Sequence, residues 1–237
     1  MAVTVTPRLT LSANGASALV DTAGRGFRVY EVPDGRMRWD LGDGEDLSLA
    51  TLSASGNALA WVGEAGDLTV LSGAGRVAGR LPASRDRVRA VAPSDDGDLV
   101  ACLIAGGVED DGDVGESRLV IAPSANGGAV AAVGLPVYET GFVLANDDCS
   151  LILAGSSEHL GERRVVRAFV REDDELRSLW AEGTALGAYG ALAVYGDWVF
   201  AATAEGIVGW RRNGERVSLP GSMRERMVFS RDGRHLM

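Results

Sequence analysis

The sequence predicts an all-β fold: four-stranded antiparallel blades set around a ring, a β-propeller, with about five complete blades and a partial sixth. Three observations predict it. A Ser-x-x-Gly turn between two apolar runs recurs with 41 residues from Gly15 to Gly56 and 41 again from Gly56 to Gly97. A second series of turn signals lies about 20 residues after the first. No helical period interrupts them. A repeat near 40 residues, made of strands and turns, cannot bury its apolar faces alone and does so by stacking on its neighbours.

The first turn series reads Leu11-Ser12-Ala13-Asn14-Gly15, Leu52-Ser53-Ala54-Ser55-Gly56 and Pro93-Ser94-Asp95-Asp96-Gly97. It continues less strictly at Asn146-Asp147-Asp148-Cys149 and Tyr195-Gly196-Asp197, and returns at Phe229-Ser230-Arg231-Asp232-Gly233. Gly, Asn and Asp tolerate the positive φ of a tight hairpin. A serine three places earlier can hydrogen-bond the turn backbone. Ser12, Ser53, Ser94 and Ser230 are therefore read as structural residues, not nucleophiles.

The second series comprises Pro33-Asp34-Gly35, Gly73-Ala74-Gly75, Asn126-Gly127-Gly128, Asp173-Asp174 and Asn213-Gly214. Runs with strand character flank each, such as Asp67-Leu68-Thr69-Val70-Leu71 and the alternating stretch 163–170. Two turns per period give four strands per blade, a to d from the channel outward. In the second blade these fall at about 47–52, 57–62, 67–72 and 76–81. The third blade begins near Val88, the fourth near Thr140, the fifth near Ala188 and the sixth near Arg224. Blade six supplies strand a and then stops at His235-Leu236-Met237, so the single domain 1–237 is expected to be incomplete at its C-terminus. Strand Ala2–Thr6 is a candidate to close the ring.

Composition narrows the function classes. The 33 acids against 23 bases give a net charge of −10, and every base is arginine. The absence of lysine excludes a Schiff-base lysine and a P-loop lysine. The acidic balance argues against general nucleic-acid binding. An acidic, lysine-free surface also suggests salt adaptation, because salt screens self-repulsion. No run approaches the ~20 apolar residues of a membrane span, and the N-terminus does not read as a signal peptide. The expectation is a cytoplasmic protein with no membrane association.

Two cysteines, Cys102 in an apolar run and Cys149 in a turn, imply neither a disulfide framework nor a metal site. The acidic insertion 107–117 offers Glu109, Asp110, Asp111, Asp113 and Glu116 as oxygen ligands. Its Gly112 falls too early for a calcium loop, and it reads as an acidic loop. Trp39, Trp61, Trp180, Trp198 and Trp210 are expected between blades. His159 and His235 form no visible acid–base pair. No metal or cofactor is expected.

The repeat resembles the WD40 and quinoprotein-like propeller repeats in degenerate form. Phe229-Ser230-Arg231-Asp232-Gly233-Arg234 is similar to their strand–turn–strand signature, and the stretch from Gly26 to Trp39 is similar to a quinoprotein-type repeat. There is no Gly-His dipeptide. Tyr30-Glu31, Leu71-Ser72 and Trp210-Arg211 stand where a Trp-Asp pair would close strand c. The resemblance implies a fold and a scaffold role. Propellers commonly meet ligands on the face carrying the d-to-a and b-to-c loops. There the candidate contacts for a protein partner are Asp46, Arg85, Asp86, Arg87, Tyr138, Glu139, Arg224, Glu225 and Arg226. The expected function is a non-enzymatic scaffold. The alternative is a quinoprotein- or lactonase-like enzyme or ligand sensor, which requires channel-facing carboxylates from several blades.

Overall fold

In the computed structural model, residues 9–21, 26–41, 49–63, 67–82, 88–105, 116–126, 128–135, 141–156, 166–182, 192–203, 206–220 and 235 are described. They form five four-stranded sheets. The first contains β1 (Leu9–Leu11), β2 (Ser17–Asp21), β3 (Phe27–Glu31) and β4 (Met37–Asp40). The second contains β5 (Leu49–Leu52), β6 (Leu59–Val62), β7 (Asp67–Leu71) and β8 (Val77–Pro82). The third contains β9 (Val88–Pro93), β10 (Leu99–Ile104), β11 (Ser117–Pro123) and β12 (Ala131–Leu135). The fourth contains β13 (Gly141–Ala145), β14 (Leu151–Ser156), β15 (Val166–Glu172) and β16 (Glu175–Glu182). The fifth contains β17 (Leu192–Tyr195), β18 (Trp198–Thr203), β19 (Gly206–Arg211) and β20 (Arg216–Leu219).

Each sheet is an antiparallel meander with its strands in sequence order, which is the predicted blade. The second blade matches its expected boundaries to within two residues, and the third begins at Val88 as expected. The sixth-blade residues from Arg224 to Arg234, and the closing strand Ala2–Thr6, lie outside the described residues.

The core lies between blades. Four apolar clusters each join two consecutive sheets. Strand periodicity explains why. In β10, Val100 and Cys102 face the second blade, while Ala101 and Leu103 face the fourth. In β14, Ile152 and Ala154 face the third blade, while Leu151 and Leu153 face the fifth. A middle strand buried on both faces reads as a continuous apolar run, as Val100–Ile104 does. Trp39 and Trp61 pack together between blades one and two, and Trp210 packs between blades four and five, as expected of inter-blade aromatics. A fifth cluster, with Ala193, Phe200, Ala202 and Ile207, lies within blade five.

Glycine permits close approach between blades, as two positions in the strands show. A Cβ on Gly79 of β8 would lie 1.7 Å from the Ser124 carbonyl oxygen of the third blade. A Cβ on Gly141 of β13 would meet Leu103 Cδ2 at 2.1 Å. At Gly79 the obstacle is backbone, so a side chain there would move one blade from the next, whereas at Gly141 it is the tip of the Leu103 side chain, which would have to repack.

Candidate functional site

The five innermost strands β1, β5, β9, β13 and β17 converge on one cavity of about 120 Å³ along the ring axis. Each is the edge strand of its sheet, so its unpaired backbone row points toward the axis and away from foreign chains. Leu11, Leu144 and Leu192 line the cavity with Ala54, Ala92 and Ala145, and Thr10, Ser12, Thr51 and Ser53 add hydroxyls. Among the described residues that line it there is no acid, base or imidazole. Among the described residues, no group of three or more His, Cys, Asp or Glu side chains could hold a metal ion. Aliphatic groups, hydroxyls and backbone edges suit water or a small neutral molecule.

One mouth of the channel is built by the a-to-b turns, and four of them share one hydrogen-bond template. The first residue donates its N–H to the carbonyl five positions on, and its own carbonyl accepts from the residue three positions on. Ser12 pairs in this way with Ser17 and Gly15, Ser53 with Ala58 and Gly56, Ser94 with Leu99 and Gly97, and Asn146 with Leu151 and Cys149. The side-chain oxygen repeats the five-residue step. Ser12 Oγ accepts from Ser17 N at 3.0 Å, Ser53 Oγ from Ala58 N at 3.0 Å, Ser94 Oγ from Leu99 N at 2.9 Å, and Asn146 Oδ1 from Leu151 N at 2.9 Å. The serines are buried and occupied in this way, so they are turn residues as expected. Gly15, Gly56 and Gly97 take φ of 65°, 78° and 81°, and Cys149 takes the same place with φ of 53°. A non-glycine residue in that region costs about 1–2 kcal/mol.

These turns are also joined from blade to blade. Asn14 N–H donates to the Ala54 carbonyl at 3.2 Å. Ser55 N–H donates to Asp95 Oδ1 at 3.1 Å. Asp95 N–H donates to the Asp147 carbonyl at 2.7 Å. Asn146 Nδ2 donates to the Gly196 carbonyl at 2.9 Å. The result is a hydrogen-bonded chain of turns through all five blades. Arginines reinforce it. Arg38 donates to the carbonyls of Gly56 and Gly73, Arg171 to those of Cys149 and Asp148, and Arg212 to Ser150 Oγ. The Arg38 guanidinium also lies 4.5 Å from the centre of the Trp39 ring.

Sequence reasoning did not single out Asp95 and Asp147. The signal is visible when the turns are aligned: the second position is Ala13 and Ala54 in blades one and two, but Asp95 and Asp147 in blades three and four. Asp147 is half-buried, and its Oδ1 is buried with no hydrogen-bond partner. Burial, followed by the charges of Asp95 and Asp148, pushes its carboxyl up to about 6. Burial also raises Asp148, but hydrogen bonds from Ser150, the Arg212 charge and Asn146 hold it below the ordinary carboxylate value. Burial pushes Cys102 up to about 12 and raises Cys149 as well; both thiols are free and buried.

The opposite mouth is where the b-to-c and d-to-a connections run. Asp46, Arg85, Asp86, Arg87, Tyr138, Glu139, Arg224, Glu225 and Arg226 all lie outside the described residues. So do Glu109, Asp110, Asp111 and Asp113 of the acidic insertion, and His159; Glu116 and His235 are described and exposed. Among the described residues no helix is long and apolar enough to cross a membrane.

The architecture is that of a β-propeller with five described blades. No family model matches the chain, and no curated protein matches it. Among solved structures, a chain titled Kuenenia stuttgartiensis hydrazine synthase is similar at 12% identity with a TM-score of 0.59, over 96% of this chain and 71% of that one. At that identity the likeness extends to the fold alone.

Proposed function

We propose that the protein is a non-enzymatic scaffold, a degenerate relative of the WD40-like and quinoprotein-like propellers, which binds a protein partner at the mouth formed by the d-to-a and b-to-c connections. The observation that carries this reading is a difference in connection length between the two mouths. On the turn side no connection exceeds the seven residues 124–130. On the other side, connections range from the two residues 204–205 to the twelve residues 105–116. Uniform short turns hold a ring together, whereas connections of unequal length and charged composition are where binding diversifies on a fixed scaffold. The arginines and tyrosine there suit the centre of an interface.

The test compares two variants of the whole chain against a partner isolated from the source cells by cross-linking. Replacing Arg85, Asp86 and Arg87 by alanine should weaken binding at least tenfold by titration calorimetry. Replacing Arg36 and Arg177, exposed on the turn side, should leave it unchanged. Equal loss in both variants, or a stoichiometric metal or chromophore in the purified protein, would replace the scaffold reading with the enzyme or sensor.

A further inference from the structure

Among the described residues, the turns have a weak point where three blades meet. Asp95 bridges them: its carboxylate accepts from Ser55 of blade two, and its N–H donates to Asp147 of blade four. The side chain of Asp147 places a buried oxygen beside this bridge without a partner of its own. The charges that act on it are those of Asp95 of blade three and Asp148 of its own turn; Asp96, Arg171 of β15 and Arg212 of blade five act on the adjoining Cys149 and Asp148. The two arginines do not neutralise it. Arg171 is spent on the carbonyls of Cys149 and Asp148, and Arg212 is bonded to Ser150 and acts on Asp148.

We propose that Asp147 is a proton-operated latch of the turn ring: neutral, it leaves the Ser55–Asp95–Asp147 bridge intact, and ionised, it loosens this mouth between blades two, three and four. A neutral carboxyl carries no charge against Asp95 and can donate its proton to a neighbouring oxygen. An ionised one is a half-buried charge, one of whose oxygens is buried without a partner, next to a second carboxylate that the bridge requires. The raised titration point of Asp147 agrees in sign. A carboxyl held above its unfolded value disfavours the fold where it is ionised in both states, near neutral pH. That penalty is relieved as pH falls from about 6 toward the ordinary carboxylate range near 3.8. The lowered Asp148 acts in the opposite sense, its contribution being lost as acid protonates it.

The experiment measures hydrogen-exchange protection of the Ser55 and Asp95 amides, with the thermal midpoint, in the wild-type chain and in Asp147→Asn between pH 7.5 and 5. In the wild type, protection should rise roughly tenfold as pH falls, after correction for intrinsic exchange. In Asp147→Asn it should already be high at pH 7.5 and stay level, with a midpoint roughly 2–5 °C above wild type at pH 7.5 and a smaller excess at pH 5, where part of the wild-type penalty persists. A carbon-detected titration places the Asp147 carboxyl directly. General relief of the acidic surface would move both proteins in parallel, and that result overturns the latch. So does an Asp147 carboxyl that titrates near 4, or protection that does not change with pH. None of these outcomes depends on a partner at the other mouth.

Discussion

Substituting Gly56 with alanine should cost far more than its place in an exposed-looking turn suggests. Gly56 has φ of 78°, and a Cβ there would lie 2.4 Å from Ser17 Oγ and 2.5 Å from Ser17 Cβ. The hydroxyl can rotate away, but Ser17 Cβ cannot, because Ser17 is buried in β2 and paired with Glu31 of β3. The turn of blade two must therefore withdraw from blade one. Left-handed strain contributes about 1 kcal/mol. Overpacking a close-packed contact contributes about 1–3 kcal/mol more. The sum, about 2–4 kcal/mol, corresponds to a fall of roughly 5–15 °C in thermal midpoint for a chain of this size. Gly35 isolates the strain alone: its φ is 68°, yet an added Cβ has nothing within 4 Å. Gly35→Ala should cost about 1 kcal/mol, roughly 2–4 °C. Adding Ser17→Gly to Gly56→Ala should recover part of the loss, because it removes both clashing atoms. Calorimetry of the four proteins decides it. Equal midpoints for Gly35→Ala and Gly56→Ala, or no recovery in the double variant, would refute a close-packed contact between these turns.

Asn146→Ala removes the acceptor for Ser150 N and Leu151 N and the donor to Gly196, and should lower stability by about 2–3 kcal/mol in urea denaturation. Cys102 and Cys149 should resist a thiol reagent in the native protein at neutral pH and both react once it is unfolded, because burial holds each as a thiol. Raising NaCl from low to molar concentration should raise the thermal midpoint: screening a net charge of −10 gains more than is lost from exposed pairs such as Arg36–Glu31 and Arg177–Glu172.

The blades were legible because a strand–turn–strand repeat must place residues of special backbone geometry at fixed intervals. Glycine at positions 15, 56 and 97 announces itself, and the apolar runs between turns follow from strands buried on both faces. Blade four was harder to read because its turn reaches the same geometry with different chemistry. Asn146 does with an amide what Ser12, Ser53 and Ser94 do with hydroxyls, and Cys149 adopts the positive φ that glycine supplies elsewhere. Blade five was harder still, because Gly196-Asp197 is a two-residue hairpin between Tyr195 and Trp198. The blade-to-blade bonds were not legible. Whether the Asp95 N–H meets the Asp147 carbonyl depends on the angle between sheets, which no local pattern encodes.

The two mouths divide the work of a ring between them. At the turn mouth the polar groups serve neighbouring turns: Asn14 serves Ala54, Asp95 serves both Ser55 and Asp147, and Asn146 serves Gly196. A foreign ligand there would have to compete with bonds that fix the spacing of the blades. Turn length is correspondingly constrained, since the template spans five positions from Ser12 to Ser17 and recurs from Asn146 to Leu151. At the other end twelve residues, 105–116, separate β10 from β11, whose register pairs Ile104 with Arg118. Sequence can change there at little cost to the blades, because loop closure grows only slowly with length. The ring is thus held at one end and left open to variation at the other. On the proposed reading, a partner is to be sought at Arg85, Asp86, Arg87 and their neighbours, and what sets stability is to be sought in the turns.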